Sequence, residues 1–178
     1  MLTEDDKSAL LRLAREAVVS EVGGVASSSA IARALPDASG VFVTLKRRGE
    51  LRGCIGTLQC RAGLAQEVAR TARESATQDP RFPRVAVEEV PELSLEISVL
   101  GPLEEIDPAV PGAIVIGTHG LVVEQGVRRG LLLPQVATEW GWDVPQFLRQ
   151  TCRKAGLPDE AWQRGARVFR FAADVFGE

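Results

Sequence analysis

The alternation of apolar and polar positions along this chain predicts a series of short β-strands. Residues 93–100 show it most cleanly, since every second side chain is apolar, as expected for a strand with one buried face. Six further segments are predicted as strands from their apolar and β-branched residues: 41–46, 51–58, 114–117, 121–124, 131–133 and 168–172. Turns are predicted between them at 47–49, 118–120 and 128–130. Short strands joined by tight turns predict a mainly antiparallel sheet.

The first two of these strands form a predicted hairpin. With Arg47-Arg48-Gly49 as a three-residue loop, Leu45 lies opposite Leu51, and Phe42 lies opposite Cys54. This register pairs apolar side chains with each other, which is how the register of a hairpin is normally fixed.

Apolar residues spaced three and four positions apart predict three helices. The first covers residues 3–22, with Thr3 as its N-cap. The second covers residues 64–78, and its narrow, alanine-rich stripe predicts close packing against the hairpin. The third covers residues 143–155, with Asp143 as the first member of a capping box.

The order of these elements predicts the fold class. Strands in pairs with helices between them are typical of α+β proteins, and we therefore expect a mainly antiparallel sheet with about three main helices. Residues 25–36 are small and serine-rich, and they predict a loop with a short helical turn. The 178 residues have an ordinary single-domain size, so one domain is predicted over residues 1–178.

Charge and cysteine content narrow the class of protein. A net charge of −3 argues against a protein whose whole surface binds nucleic acid. Three cysteines without zinc-type spacing, and no secretory leader, predict a cytoplasmic protein. No apolar run reaches the length of about 18 residues that a membrane-spanning helix needs, so no membrane association is expected. One histidine and scattered cysteines do not make a closed zinc site, and neither a metal nor a cofactor is predicted.

The strand at 51–58 carries the sharpest chemical signal. Arg52 and Cys54 share one face of it, and a cation beside a thiol favours the reactive thiolate. Gly53 and Gly56 inside a strand mark either a β-bulge or a place where another group approaches the backbone closely. The alternative is that Cys54 is a small residue of the core, because free cysteines are among the most buried residue types.

Five short motifs are spread along the chain. The most specific is Leu-Arg-Gly-Cys-Ile-Gly at 51–56. The others are Asp-Pro-Arg-Phe at 79–82, His-Gly at 119–120, Leu-Pro-Gln-Val-Ala at 133–137 and Gly-Trp-Asp at 141–143. With these motifs the chain resembles the AMMECR domain family over nearly its whole length.

The resemblance carries expectations about fold and partners. It implies an α+β fold with an antiparallel sheet. Prokaryotic members of this family are described as protein A of the AmmeMemoRadiSam system, which implies a Memo-type protein and a radical S-adenosylmethionine (SAM) protein as partners. The resemblance does not supply a reaction.

Residues from the motifs form a predicted catalytic group: Cys54, His119, Arg52 and Asp79. The Cys54 thiolate would be the nucleophile, and His119, the only histidine in the chain, would be its base. The alternative for His119 is a turn residue, because histidine is enriched at left-handed turn positions.

A small-molecule substrate is predicted to contact five residues: Gly53, Gly56, Thr57, Arg81 and Phe82. In this hypothesis Arg81 binds an anionic group and Asp79 orients it. The alternative is a helix-terminating turn, in which Asp79 caps its own backbone and Arg81 pairs with a neighbouring carboxylate.

Three functions follow from these candidates. The first is a Cys-dependent enzyme or small-molecule-handling component of a radical-SAM/Memo-linked system, in which Cys60 and Cys152 are inert. The second is a non-catalytic scaffold or regulator that binds a protein, since Trp140 and Trp142 are close in sequence and tryptophan is favoured in interfaces. The third and weakest is a nucleic-acid-binding regulator, based on basic residues at 46–48, 52 and 128–129.

Overall fold

The computed structural model of the protein describes residues 2–24, 31 and 34–178. Contacts within the chain group it into two compact units. Unit 1 comprises Met1–Leu100 and Asp174–Glu178, and unit 2 comprises Gly101–Ala173. The single domain expected over residues 1–178 stays a prediction.

Unit 1 contains an antiparallel sheet with two helices packed against it. Its elements are α1 (Glu4–Gly23), β1 (Gly40–Arg47), β2 (Glu50–Thr57), α2 (Leu64–Thr77) and β3 (Leu93–Leu100). The strand order is β2-β1-β3. Alternate residues of β1 and β3 form the core with the apolar stripes of both helices, among them Leu10, Ala14, Val41, Val43, Leu45, Val68, Ala72 and Ile97.

Both helices of unit 1 are formed as the sequence predicts. The Thr3 hydroxyl accepts from the Asp6 backbone N–H, and the Asp6 carboxylate accepts from the Thr3 backbone N–H, so a capping box begins α1. Gly24 ends α1 in the left-handed conformation, with φ of 69°. The alanine-rich stripe of α2 packs against β1 and β2, as expected from its small side chains.

The turn of the first hairpin is one residue shorter than the predicted loop. It consists of Arg48 and Gly49, with φ of 54° and 84°, and Arg47 is paired with Glu50. Two consecutive residues with positive φ are typical of the primed turns that match strand twist.

The predicted register of this hairpin is wrong. Leu45 lies opposite Gly53, because an irregularity on the β2 side of the ladder adds one residue after the first two pairs. Cys54 consequently lies opposite Thr44, and Phe42 lies opposite Gly56. The apolar pattern alone does not distinguish the two registers. The shorter turn and the bulge each shift the pairing by one residue, and a total shift of two residues leaves the same side chains on the same face.

Unit 2 contains an antiparallel sheet in the order β4-β7-β5-β6. Its elements are β4 (Glu104–Ile106), β5 (His119–Gln125), β6 (Arg128–Leu132), α3 (Pro134–Glu139), α4 (Val144–Lys154) and β7 (Arg167–Gly177), whose last residues belong to unit 1. The core contains Leu121, Val123, Phe147, Leu148, Cys152 and Val168. The predicted capping box at Asp143 is confirmed.

The turn between β5 and β6 lies at a different position from the predicted turn at 128–130. Residues 128–130 lie within β6, and the turn consists of Gly126 and Val127 instead. The apolar residues predicted as a strand at 114–117 form a turn. Ile114 explains that pattern, because it packs into the core of unit 2 without belonging to a strand.

The predicted fold class is confirmed as α+β, with antiparallel strands and the helices α1, α2 and α4 as the three main helices. The short α3 and β4 were not predicted. The loop predicted for residues 25–36 lies mostly outside the described residues, and residues 31 and 34–36 belong to no helix or strand. In the described part of the chain, every helix is too short or too polar to cross a membrane.

Candidate functional site

The predicted site residues are divided between the two units. His119 lies in unit 2, and the other eight lie in unit 1, on β2 or in the segment that follows α2. The surroundings of Cys54 and of His119 are therefore described separately.

The backbone of Cys54 is bound by the Asp79–Arg81 pair. Cys54 lies on β2, the edge strand of the unit 1 sheet. Asp79 Oδ2 accepts from the Cys54 backbone N–H at 2.8 Å, and Arg81 Nη2 donates to the Cys54 carbonyl at 3.3 Å. The carboxylate and the guanidinium thus take the place that a neighbouring strand would occupy.

The Asp79–Arg81 pair is itself tightly bound. Arg81 Nε and Nη2 donate to the two carboxylate oxygens of Asp79 at 3.0 and 2.7 Å. Asp79 is only 5% exposed. The hydrogen bonds from Arg81, followed by those from the Cys54 and Arg81 backbone N–H groups, hold the pKa of Asp79 well below its usual range against the opposing effect of burial. Asp79 is therefore ionised throughout the physiological range.

Ser75 of α2 binds the backbone of both β2 and β1 through its hydroxyl. Its hydroxyl accepts from the Ile55 backbone N–H at 2.9 Å and donates to the Val43 carbonyl at 2.8 Å. A Cβ on Gly53 would lie 2.2 Å from the Ser75 carbonyl oxygen. Only glycine therefore allows α2 to approach β2 this closely.

The Cys54 thiol lies on the opposite face of β2 from Gly53. The Thr44 hydroxyl donates to Cys54 Sγ at 3.3 Å, across the ladder between β1 and β2. The next residue on this face is Gly56, and a Cβ there would lie 2.0 Å from the Phe42 ring. Cys54 is half-buried, with its thiol bonded to the Thr44 hydroxyl, and it is not the fully buried core residue of the alternative interpretation.

The guanidinium of Arg52 is bound to groups of the segment after α2, and its catalytic role stays a prediction. Its Nε and Nη2 donate to Glu89 at 2.9 and 2.8 Å, and Nη1 donates to the Pro83 carbonyl at 2.9 Å. The side chains of Arg52 and Glu89 are only 12% and 15% exposed. Arg52 therefore anchors the segment after α2, and the guanidinium that reaches Cys54 is that of Arg81.

Thr57 and Phe82 have local roles. Thr57 Oγ1 accepts from the Gln59 backbone N–H at 3.1 Å and donates to the Gln59 carbonyl at 3.0 Å, which shapes the turn after β2. The Phe82 ring lies under the guanidinium of Arg81, with 5.5 Å between the guanidinium carbon and the ring centroid. Phe82 therefore supports Arg81, and substrate contact by either residue stays a prediction.

His119 begins β5 in unit 2. Its φ is not positive, so the left-handed turn interpretation is wrong. Nδ1 accepts from the Val115 backbone N–H at 3.0 Å, which places the ring proton on Nε2. Partial burial, and then the charge of Arg170, lower the pKa of His119, while Glu104 opposes them. His119 is therefore neutral near pH 7, and its pairing with Cys54 stays a prediction.

The basic residues of the nucleic-acid alternative are bound to carboxylates or carbonyls. Each guanidinium or ammonium group of the first hairpin has a carboxylate partner: Lys46 with Glu96, Arg47 with Glu89 and Glu92, Arg48 with Glu92, and Arg52 with Glu89. In unit 2, Arg128 donates to the Gly156 carbonyl. These basic residues therefore already bind groups of the protein itself at the positions where phosphate contacts were predicted.

The other two cysteines have different surroundings from Cys54. Cys152 is fully buried in α4, and burial raises the pKa of its thiol. Burial, and then the charge of Glu67, raise the pKa of Cys60. Among the described residues, no three histidine, cysteine or acidic side chains are placed to hold a metal ion.

Thr44 and Ser75 are the site residues that the sequence did not reveal. The predicted register placed Phe42 opposite Cys54, so Thr44 was not a candidate. Ser75 is a serine on the buried, alanine-rich side of α2, and a buried hydroxyl in such a stripe is the signal that could have identified it.

Comparisons with known proteins agree with this architecture. The AMMECR1 family model matches residues 11–176. A protein of Methanothermobacter thermautotrophicus is 44% identical over 99% of this chain and 96% of its own length, and one of Methanococcoides burtonii is 39% identical over 100% and 92%. The crystal structure of Pyrococcus horikoshii protein PH0010 superposes with a TM-score of 0.85 and 41% identity, over 95% of this chain and 89% of that one. The chain belongs to the AMMECR1 family.

Proposed function

We propose that this chain is a thiol-dependent enzyme in which Cys54 forms a covalent bond to an anionic small molecule. The observation that carries the proposal is the binding of the Cys54 N–H and carbonyl by Asp79 and Arg81, while the thiol stays partly exposed. A fixed nucleophile favours covalent chemistry, because the geometry of attack then requires no further ordering.

Arg81 supports an anionic substrate. Its Nε and Nη2 are used by Asp79 and the Cys54 carbonyl, while Nη1 has no hydrogen-bond partner among the described residues. The Arg81 side chain is 55% exposed. Nη1 is thus available to a carboxylate or phosphate oxygen held near the thiol.

Acyl transfer from a thioester is the reaction class that these groups fit. The Cys54 thiolate attacks the carbonyl carbon, a bond from Sγ to that carbon forms, and the bond from the carbon to the departing sulfur breaks. The thiol proton passes to solvent and the departing thiolate takes one up, so no oxidant or reductant is needed. Thr44 stabilises the thiolate by donating its hydroxyl hydrogen to Sγ.

Two thioesters of one small thiol, one succinyl and one butanoyl, test this proposal. We expect an acyl adduct on Cys54, located by mass spectrometry, that forms about tenfold faster from the succinyl thioester because Arg81 binds its carboxylate. Cys54→Ser should give no thioester adduct at this position, and Arg81→Gln should lose the preference for the succinyl group. Equal labelling of Cys54 and Cys60, or no labelling of the native protein, would contradict the proposal.

A non-catalytic binding role is the second candidate, and the 71% exposure of Trp140 favours it. In that case neither thioester would react, and the Asp79–Arg81 pair would only shape the edge of the sheet. A Memo-type protein and a radical SAM protein are proposed partners on family resemblance. Co-purification of either one with the tagged chain would support that proposal, and its absence under gentle conditions would count against it.

A further inference from the structure

Two tryptophans lie next to each other on unit 2. The ring centroids of Trp140 and Trp142 are 6.0 Å apart, and their planes differ by 16°, so the indoles are stacked. Trp142 packs against the core of unit 2, whereas Trp140 is 71% exposed. An exposed indole supported by a half-buried one offers a large, rigid apolar surface.

The backbone around these rings is firmly held. Trp140 N–H donates to the Val136 carbonyl at 3.1 Å, and Trp142 N–H donates to the Ala137 carbonyl at 2.9 Å. Gly141 between them has φ of 64°, a conformation that favours glycine. The position of the indole pair is therefore set before any partner binds, which lowers the entropic cost of binding.

One face of α4 continues this surface with polar and basic side chains. Trp142, Gln146, Arg149, Gln150 and Arg153 line a shallow cavity of about 210 Å³. The four α4 residues are spaced three and four positions apart, so they lie on one side of the helix. We call these five residues and Trp140 the Trp140 surface.

Two of the six side chains of the Trp140 surface are basic, and the carboxylate of Asp159 lies near both of them. Arg153 donates to Asp159 at 2.7 Å, whereas Arg149 forms no ion pair among the described residues. None of the six side chains is acidic. The Gln146 and Gln150 amides can both donate and accept hydrogen bonds, as an extended or helical peptide requires.

We infer that the Trp140 surface binds an acidic segment of another protein. A large apolar side chain of that segment packs on the stacked indoles, and a carboxylate of the segment binds Arg149, the arginine without an ion pair among the described residues. A nucleic acid fits less well, because its binding depends on several phosphate contacts and Arg149 is the only arginine of this surface without an ion pair among the described residues. Exposed tryptophan and arginine are the residue types that dominate binding energy in protein interfaces.

A displayed library of random peptides tests the inference, with selection on the full chain and counter-selection on Trp140→Ala. We expect the enriched peptides to combine acidic residues with a large apolar one. In titrations of one such peptide, Trp140→Ala and Arg149→Glu should each weaken binding by about tenfold or more. Arg12→Glu, a charge reversal at an exposed position of α1, should change the affinity by less than about twofold.

Three results would overturn the inference. The first is a selection without peptides that depend on Trp140, and the second is an enriched set without acidic residues. The third is binding of a labelled single-stranded oligonucleotide that Trp140→Ala abolishes, which would assign the surface to nucleic acid. Circular dichroism of each variant should match the unmodified chain, because Trp140 and Arg149 lie at the surface and neither belongs to the core.

Discussion

The surroundings of Cys54 and the Trp140 surface use side chains in opposite ways. Around Cys54, the polar side chains of Asp79, Arg81 and Ser75 bind the backbone of β2, and a single small thiol is left partly free. At the Trp140 surface, the side chains extend to solvent with few bonds to one another. A fixed small group suits covalent chemistry, whereas a broad exposed group suits binding.

The same contrast predicts how each region tolerates substitution. Changes around Cys54 should disturb the fold, because the groups there are buried and mutually bonded. Changes of the exposed side chains of the Trp140 surface, Trp140 and Arg149 among them, should leave the fold intact and affect only binding. The predictions below test this difference, beginning with the largest effect.

Gly53→Ala should have the largest effect on stability. The added methyl group would lie 2.2 Å from the Ser75 carbonyl oxygen, so α2 and β2 would have to separate. We expect a loss of about 3 kcal/mol in the free energy of unfolding, measured by urea denaturation. The control is Gly23→Ala, where nothing lies within 4 Å of the added carbon. Equal stability of the two variants would contradict the close approach of α2 to β2.

Asp79→Asn should have the second-largest effect on stability. It removes one charge from the pair with Arg81 and weakens the hydrogen bond to the Cys54 backbone N–H, so we expect a loss of about 2 kcal/mol near neutral pH. Because the pKa of Asp79 is held low in the folded protein, its stabilising effect is present above the usual carboxyl pKa and is lost as the pH falls. Urea denaturation should therefore show the difference from the unmodified chain shrinking in acid. A constant difference across pH would contradict the ionised pair.

Glu89→Gln should also destabilise the protein, by less than Asp79→Asn does. Arg52, and then the Ala86 backbone N–H, lower the pKa of Glu89 to about 2, so its contribution is present above 4.5 and is lost as the pH falls toward 2. The full shift would amount to about 3 kcal/mol, and because the neutral amide of glutamine can still accept a hydrogen bond from Arg52, we expect a loss of about 1 kcal/mol. Thermal melts across this pH range measure it. If Glu89→Gln loses as much stability in acid as the unmodified chain does, Glu89 is not the source of that loss.

Trp140→Ala should have the smallest effect on stability, within about 0.5 kcal/mol, because the side chain is exposed. Trp142→Ala is the matched comparison, since Trp142 packs against the core of unit 2 and its loss should cost about 3 kcal/mol. Both are measured by thermal denaturation. A large destabilisation by Trp140→Ala would mean that the ring supports the fold, and the contrast between the two regions would fail.

Local signals in the sequence predicted most of the elements. The capping boxes at Thr3 and Asp143 and the alternation of residues 93–100 depend on residues a few positions apart, which the sequence displays directly. The turn at 114–117 was mistaken for a strand, because Ile114 is buried through tertiary packing, which gives a strand-like pattern without strand pairing.

The candidate site could be predicted only in part. The Cys54 motif and the Asp-Pro-Arg-Phe motif were both selected, but their contact joins residues 25 positions apart and depends on how α2 packs. The contacts of Arg52 with Glu89 and of Arg81 with the Cys54 carbonyl have the same origin. Glu89 binds Arg52 across 37 positions, and no pattern along the chain reveals that pairing.

Alkylation of the native protein by iodoacetamide, with each cysteine followed by mass spectrometry, tests the central claim most directly. We predict that Cys54 reacts in the native protein, whereas the fully buried Cys152 reacts only when the protein unfolds. Thr44→Val should slow the reaction of Cys54 about fivefold, which corresponds to the loss of a hydrogen bond of about 1 kcal/mol to the thiolate. Labelling of Cys54 only at the rate of unfolding, together with Cys152, would contradict a reactive thiol and leave Cys54 with a structural role.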